Sequence, residues 1–390
     1  MIEMLNTGKE QLIENIKILL YKEKEDVFEF LDFENDSIYQ EPLFFAYFKE
    51  KRKKQLDPII FGFINSEICK KDICTLSDEN GRIYIPNIGW LICKQKNTKF
   101  NLSELIKEAH IKESSFALEP LLFIEGTNIE ILKYPVELLK QFYYDEHLNS
   151  IEVEIEKITK RHIKNVTTAF NLIKKYAPEH FDLIESVTKK IVIFNVDTNL
   201  RNSFATLSAH GIAFFNAYQE DYNEIFFVDD IAHQTGHIIF NALIYDIDKF
   251  LKVKPSTVVQ EIKNDFGIVI ETRDIHVLFH ALYTYYTTFI CLDVMLDSRE
   301  FTNEKLHELH GRMKFYLGKC LLDFIVIDNP INNYSGAEKL FTDEGLEIYS
   351  LVKNKYFEMS NKWFPVVEKY KLNNQLYNFS YSLFKDLNPL

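Results

Sequence analysis

Cysteine is scarce in this chain of 390 residues, with five, at positions 69, 74, 93, 291 and 320. No CxxC spacing occurs, and the cysteines at 69 and 74 have no second pair, so a zinc ribbon is not supported. An odd number of cysteines at low density is typical of proteins whose thiols stay reduced inside the cell. We therefore expect a cytoplasmic protein.

Long apolar runs are also missing. No stretch of eighteen apolar residues occurs, and a membrane-spanning helix needs about that length. The first twenty residues carry acidic and polar side chains among the apolar ones, as in an amphipathic helix rather than a signal peptide. The sequence therefore predicts a soluble protein without a membrane partner.

Basic residues are in deficit. The chain has 45 Lys and Arg against 58 Asp and Glu, which gives a formal net charge of −13 and a pI of about 5.4. This balance argues against nucleic acid as a partner and is ordinarily explained by solubility. No pattern specifies an oligomeric state.

Apolar residues, by contrast, are plentiful, at 46% with 33 Phe and 21 Tyr, so the chain can form one large core or two domains. The clearest helical spacing lies in 151–176, and short β-like runs lie at 191–196 and 211–217. We predict an α+β, mainly helical fold. Residues 1–185 form an N-terminal α+β region, and residues 186–390 form a mainly helical, metal-binding region with a few short strands.

Two HxxxH pairs are the most informative feature that is present. His233-Gln-Thr-Gly-His237 is followed by His276 and His280. Residues four apart share one face of a helix, and HxxxH on a helix is the geometry of metalloprotease zinc sites. The first helix is predicted to begin at Asp229 or Asp230 and to end near position 245, and the second spans 275–296.

One such pair alone is more often structural, because a buried imidazole is satisfied by an ordinary hydrogen bond. Two pairs on two apolar helices favour metal binding by His233, His237 and His280. His276 is a weaker ligand candidate, and it is otherwise a partner of a ligand or part of a substrate wall. Glu261, 24 residues after His237, is an alternative third ligand.

Gln234 stands where a metalloprotease has the glutamate that deprotonates metal-bound water. A glutamine cannot accept that proton, so the hydrolytic half of the motif is missing. Iron oxygenase chemistry needs open metal positions but no such base. Neutral imidazoles suit zinc, iron, copper and nickel alike, so the ligands do not select among these metals.

The sequence resembles a known family in three segments: Gly211-Ile-Ala-Phe-Phe, Asp229-Asp230-Ile231-Ala232 before HxxxH, and the stretch from Arg273 to Ala281. Over 190–300 it is similar to the HExxH-type, 2-oxoglutarate-dependent peptide β-hydroxylases of bacterial peptide natural-product (RiPP) pathways. The resemblance implies Fe(II) held by His233, His237 and His280. It implies that 2-oxoglutarate is the co-substrate and that the β-carbon of a residue in a ribosomally made precursor peptide is hydroxylated.

The distal carboxylate of 2-oxoglutarate needs a cation, and Arg pairs bidentately with carboxylates. Arg273 is the first choice, with Arg201 and Arg312 as alternatives. A competing interpretation of Arg273 is an ion pair with Asp274 or Glu271.

Tyr283, which opens the run that ends at Thr288, is predicted to line the co-substrate pocket, or else to be core. Gln234 and His276 are the other predicted active-site residues.

Two alternatives stay open. A zinc hydrolase of the gluzincin type would use Glu261 as its third ligand, and a degenerate, non-catalytic fold would only bind a peptide. His280→Ala should abolish metal binding by the oxygenase and spare it in the hydrolase, and Glu261→Ala should do the reverse. Residues 1–185 show no chemistry of their own, which would suit binding of a leader peptide.

Overall fold

A computed structural model describes residues 1–50, 56–64, 73–102, 116–145, 147–264, 266–329, 331 and 336–390. Helix outweighs strand, 55% against 15%, which confirms the α+β, mainly helical fold class. Contacts divide the chain into two compact units: Met1–Ile163 with Glu185–Glu220, and Lys164–Ile184 with Asp221–Leu390.

This division differs from the sequence-based boundary at 185. The stretch Glu185–Glu220 belongs to the first unit because its strands pair with a strand of the N-terminal region. Sequence patterns cannot reveal that return of the chain, since strand pairing is a long-range contact.

The first unit combines short helices with short strands. Its helices before residue 150 are α1 (Ile2–Glu23), α2 (Asp36–Tyr39), α3 (Pro42–Lys49) and α4 (Leu56–Phe61). Its strands are β1 (Cys74–Leu76), β2 (Arg82–Ile85), β3 (Gly89–Cys93), β4 (Lys99–Asn101), β5 (Phe116–Glu119), β6 (Glu130–Ile131), β7 (Lys190–Phe194), β8 (Phe204–Ala205) and β9 (Ile212–Asn216).

Three sheets arise from these strands. β1 pairs with β4, β2–β3–β5 form an antiparallel sheet, and β6–β7–β9–β8 form a mixed sheet. β7 and β9 pair in parallel, with Ile191 opposite Ala213, and every residue of both strands is buried. Continuous apolar runs are typical of parallel strands that are covered on both faces. The strands predicted at 191–196 and 211–217 are therefore confirmed.

The helix predicted over 151–176 is present as α5 (Glu156–Tyr176), and α6 (Pro178–Val187) follows it. After Glu220, the described residues of the second unit form helices and loops, with one hairpin, β10 (Val258–Lys263) and β11 (Val269–Asp274). Its helices are α7 (Glu224–Leu243), α8 (Ile275–Ser298), α9 (Asn303–Asp328), α10 (Ala337–Leu340), α11 (Asp343–Val367) and α12 (Tyr381–Leu387).

α8 is the central helix of this unit and packs against α7, α9 and α11. In the part of the chain that the structure describes, α8 is the helix that by length and composition could cross a membrane, yet 67% of its most apolar window is buried inside the protein. Its apolar residues are used for packing, as in the core helix of a soluble protein.

The first motif helix starts earlier than predicted. α7 begins at Glu224, because Asn223 caps it by accepting a hydrogen bond from the backbone N–H of Ile225. Asp229 and Asp230 are therefore interior residues and not caps. α8 begins at the predicted position, with Asp274 as its cap.

A candidate metal centre between two helices

The motif glycine lets the two histidine-bearing helices approach closely. A Cβ added at Gly236 of α7 would lie 2.4 Å from Oγ1 of Thr287 on α8. That hydroxyl donates a hydrogen bond to the carbonyl of Ala232 at 2.8 Å. The spacing HxxGH therefore places the close contact one residue before His237, and the histidines of α7 face α8.

Four histidines follow one another across this interface. The rings of His233 and His237 are 5.1 Å apart between centroids, and those of His237 and His280 are 5.6 Å apart. The Nδ1 atoms of His237 and His280 lie 3.4 Å apart. His276 contacts His280, with 4.5 Å between centroids. The structure thus brings together the four histidines that the sequence singled out.

These imidazoles are neutral at physiological pH. Burial lowers the pKa of His237 to about 4. Burial also lowers the pKa of His280, with the neighbouring His237 and His276 adding to the effect. The pKa of His233 falls well below its ordinary value because of burial and then because of His237 and Lys319. A neutral imidazole is the form that binds a metal.

Neutral imidazoles in general are suitable donors for divalent metals. Nδ1 of His233 and Nε2 of His280 are buried without a hydrogen-bond partner among the described residues. The 3.4 Å between His237 and His280 is close to the roughly 3.3 Å that separates two nitrogens on one tetrahedral zinc. Across the described ranges, however, no group of three or more His, Cys, Asp or Glu is gathered to hold an ion. The three rings are adjacent; Nδ1 of His280 faces His237, and Nε2 is its nitrogen without a partner among the described residues.

Gln234 lies next to the first histidine and is buried. Its amide Nε2 donates to Oδ1 of Asp230 at 3.1 Å, and its Oε1 is buried without a partner in the described structure. A glutamate here would put two carboxylates side by side on α7, whereas the amide makes a favourable hydrogen bond. His276, the other predicted active-site residue, is half-buried and contacts His280.

Arg273 is already engaged by the protein. Its two terminal nitrogens donate to Oδ1 and Oδ2 of Asp323 on α9 at 2.7 and 3.0 Å, and it also reaches Gln260. The acidic partner is therefore Asp323 and neither Asp274 nor Glu271, so the interpretation as a local ion pair is wrong. Long-range packing of β11 against α9 created the pair.

The alternative arginines also have partners within the protein. Arg312 is buried against Asp229 and Glu308, with distances of 2.5 and 2.6 Å. Arg201 lies in the first unit, where its guanidinium donates to the carbonyls of Phe142 and Tyr144.

The remaining predicted positions lie as follows. Tyr283 is in the core, with its ring stacked on Phe240 at 4.7 Å, so its role in a pocket stays a prediction. Glu261 is exposed on β10, and its carboxylate lies 3.2 Å from Lys263. The alternative third ligand, Glu261, therefore has its carboxylate at the surface, beside a lysine.

Sequence reasoning missed a polar stripe on α9. Arg312, Tyr316, Lys319 and Asp323 recur at intervals of four, three and four residues, and the Tyr316 ring lies 6.1 Å from that of His233. Lys319 is the cation whose charge lowers the pKa of His233. Burial lowers the pKa of Lys319 itself to about 8. Polar residues at helical spacing on the buried face of this amphipathic helix were the signal that could have revealed the stripe.

No family model matches this chain, and no curated protein matches it.

Proposed function

We propose that the second unit binds Fe(II) through His233, His237 and His280, and that the protein is a 2-oxoglutarate-dependent oxygenase. Its substrate would be a ribosomally made precursor peptide, hydroxylated at the β-carbon of one residue. The observation that carries the proposal is the meeting of neutral imidazoles from α7 and α8, with two buried nitrogens lacking a hydrogen-bond partner among the described residues. With 2-oxoglutarate and O₂, bound iron would supply the oxidising chemistry.

The surrounding residues would orient the ligands. His276 packs against His280 and would fix the orientation of that ring. Gln234, hydrogen-bonded to Asp230, would hold the first turn of the motif without acting as a base. The absence of a base at this position is compatible with oxygenase chemistry and unfavourable for hydrolysis. The zinc-hydrolase alternative is further weakened because Glu261 lies at the surface with Lys263.

A second candidate is a degenerate protein that binds a peptide without catalysis. It is favoured by Gln234 and by the finding that the described residues gather no three-ligand group. In both candidates a cytoplasmic location is proposed, in line with the free thiols of the described cysteines Cys74, Cys93, Cys291 and Cys320. Cys69 lies outside the described residues.

An anaerobic titration tests the proposal. The metal-free protein is titrated with Fe(II) and then with 2-oxoglutarate, and visible absorbance is recorded before and after O₂ is admitted. Chelation of the co-substrate should give a weak charge-transfer band that bleaches with O₂. His280→Ala should lose metal and band, while the matched variant Glu261→Ala should retain both.

Each contrary result selects an alternative. Zinc retention that depends on Glu261, without a band, would support the hydrolase. If the protein is well folded but binds neither Fe(II) nor zinc, both enzyme hypotheses are overturned. The non-catalytic peptide-binding protein is then the remaining hypothesis.

A further inference from the structure

A small cavity in the first unit is bordered by three basic side chains that the proposed function does not use. Its volume is about 20 Å³, which is room for one water-sized atom. Its lining includes Lys9 of α1, Lys189 just before β7 and His210 before β9, together with Gln40. A cavity of this size with a basic border suits one atom of an anion.

Strand pairing brings two of these basic residues together. β7 and β9 are parallel neighbours, so the residues that precede them reach the same edge of the sheet. The backbone N–H of Lys189 donates to the carbonyl of Gly211, the residue after His210, at 2.8 Å. Gly211 has a φ of +93°, which a residue with a side chain rarely adopts. The turn into β9 therefore holds His210 beside Lys189.

His210 has hydrogen-bonding capacity that the protein leaves unused. It is 8% exposed, and its ring packs on that of Phe45 with 5.5 Å between the ring centres. Its Nδ1 is buried without a hydrogen-bond partner among the described residues. Because an unsatisfied buried polar group is costly, it points to a ligand or ion that completes the site.

The two lysines are not neutralised by carboxylates. In the part of the chain that the structure describes, neither ammonium has a carboxylate within ion-pair distance. That of Lys189 donates to the carbonyl of Ser186 at 3.3 Å, which leaves two of its three donors. Glu185 attracts Lys189 from farther away, and its Oε1 accepts instead from the backbone N–H of Asn128 at 2.9 Å.

The positive charges of the lysines act on each other and on the imidazole. Burial lowers the pKa of Lys189, and the charge of Lys9 adds to this effect. Burial, then Lys189 and then Lys9, lower the pKa of His210 to about 4. A nearby negative charge would offset this repulsion, because opposite charges at close range favour each other's charged forms.

We propose that this cavity is a phosphate-binding site, in which one phosphate oxygen enters among His210, Lys9 and Lys189 while the other oxygens stay at the partly exposed lysines. Lysine binds phosphate as a point charge, whereas planar carboxylates are matched by arginine, and the described lining includes no arginine. The site belongs to the first unit alone and does not depend on the histidines of α7 and α8.

Calorimetry at constant ionic strength tests the proposal by measuring how inorganic phosphate binds to the whole chain and to its variants. Lys9→Met and Lys189→Met should each weaken the affinity roughly 10- to 100-fold, as loss of a charged hydrogen bond does. Lys22→Met is the matched control, because Lys22 is exposed on α1 and does not line the cavity. It should bind phosphate as the wild type does. Phosphate binding that neither Lys9→Met nor Lys189→Met weakens would overturn the inference.

Two measurements on the wild type do not depend on how the variants fold. In NMR spectra of the ¹⁵N-histidine-labelled protein, phosphate should shift the ring signals of His210 and leave those of His180, buried in the second unit, unchanged. Phosphate should also raise the melting temperature more than acetate or chloride at equal ionic strength, since a ligand of the folded state stabilises it. Unchanged His210 signals, or equal effects of acetate or chloride, would contradict the assignment to phosphate.

Glycerol 3-phosphate distinguishes the two sources of a phosphate group. An affinity at least equal to that of inorganic phosphate would support a ligand that carries the group as an ester, and a weaker one would support the free ion. In either case Lys189→Met should reduce binding, and an effect on neither probe would overturn the site. Failure of the metal titration would leave these results unaffected, because no metal is added.

Discussion

Arg312 shows at the scale of one residue how charge is used inside the second unit. It is 2% exposed, and its guanidinium bridges Asp229 of α7 and Glu308 of its own helix. Glu308 is also held by Asn223, the cap of α7. Removing one member of such a group leaves buried charges uncompensated, which costs far more than an exposed pair contributes.

Arg312→Met should therefore lower the free energy of unfolding by about 3–5 kcal/mol, measured by urea denaturation. Lys305→Met is the control, because Lys305 pairs with Glu224 between the same two helices at 2.5 Å but is exposed. It should cost less than about 1 kcal/mol. Equal losses of unfolding free energy in the two variants would contradict the expectation that burial makes the Arg312 ion pairs the more important ones.

At the scale of an element, the contact of α7 with α8 depends on a residue without a side chain. Gly236 accommodates the hydroxyl of Thr287, which bonds to the carbonyls of Ala232 and Thr284. A glycine inside a helix ordinarily weakens it by about 0.5–1 kcal/mol relative to alanine. Here the glycine allows α7 and α8 to approach each other closely, and this approach brings His237 and His280 together.

Gly236→Ala should be destabilising by about 1–3 kcal/mol, because overpacking against Thr287 exceeds the gain in helix propensity. Gly318→Ala on α9 is the matched control: its added Cβ would meet no atom within 4 Å. That variant should be stabilised by about 0.5–1 kcal/mol. The melting temperatures of the two variants check both predictions. If Gly236→Ala were stabilised like Gly318→Ala, the close packing of α7 against α8 at Gly236 would be contradicted.

At the scale of the whole molecule, each unit contains a buried, neutral histidine that is not one of the proposed metal ligands. Burial lowers the pKa of His180 in the second unit and of His210 in the first to about 4. In the unfolded chain both titrate near pH 6.5. As the pH falls from about 6.5 to 4, the unfolded state takes up protons first, so the stability present above pH 6.5 is progressively lost.

His210→Phe should reduce this loss. The phenyl ring cannot titrate and can still pack against Phe45, whose ring centre lies 5.5 Å from that of His210. Between pH 6.5 and 4 the variant should lose roughly 3 kcal/mol less unfolding free energy than the wild type. Denaturant titrations across this range measure the difference. Parallel profiles for His210→Phe and the wild type would contradict the assignment.

The sequence alone determined the features that arise from local periodicity and composition. Helical spacing predicted α5, uniform apolar runs predicted β7 and β9, and HxxxH spacing placed each histidine pair on one helical face. These predictions succeeded because a helix or a buried strand repeats its environment every few residues along the chain.

Only the tertiary structure decided which distant residues meet. The return of Glu185–Glu220 to the first unit, the pairing of Arg273 with Asp323, and the contact of Tyr316 with His233 join segments far apart in sequence. No local pattern encodes such contacts, because they depend on how the helices pack. Composition predicted a soluble chain, and packing buried 67% of the most apolar window of α8.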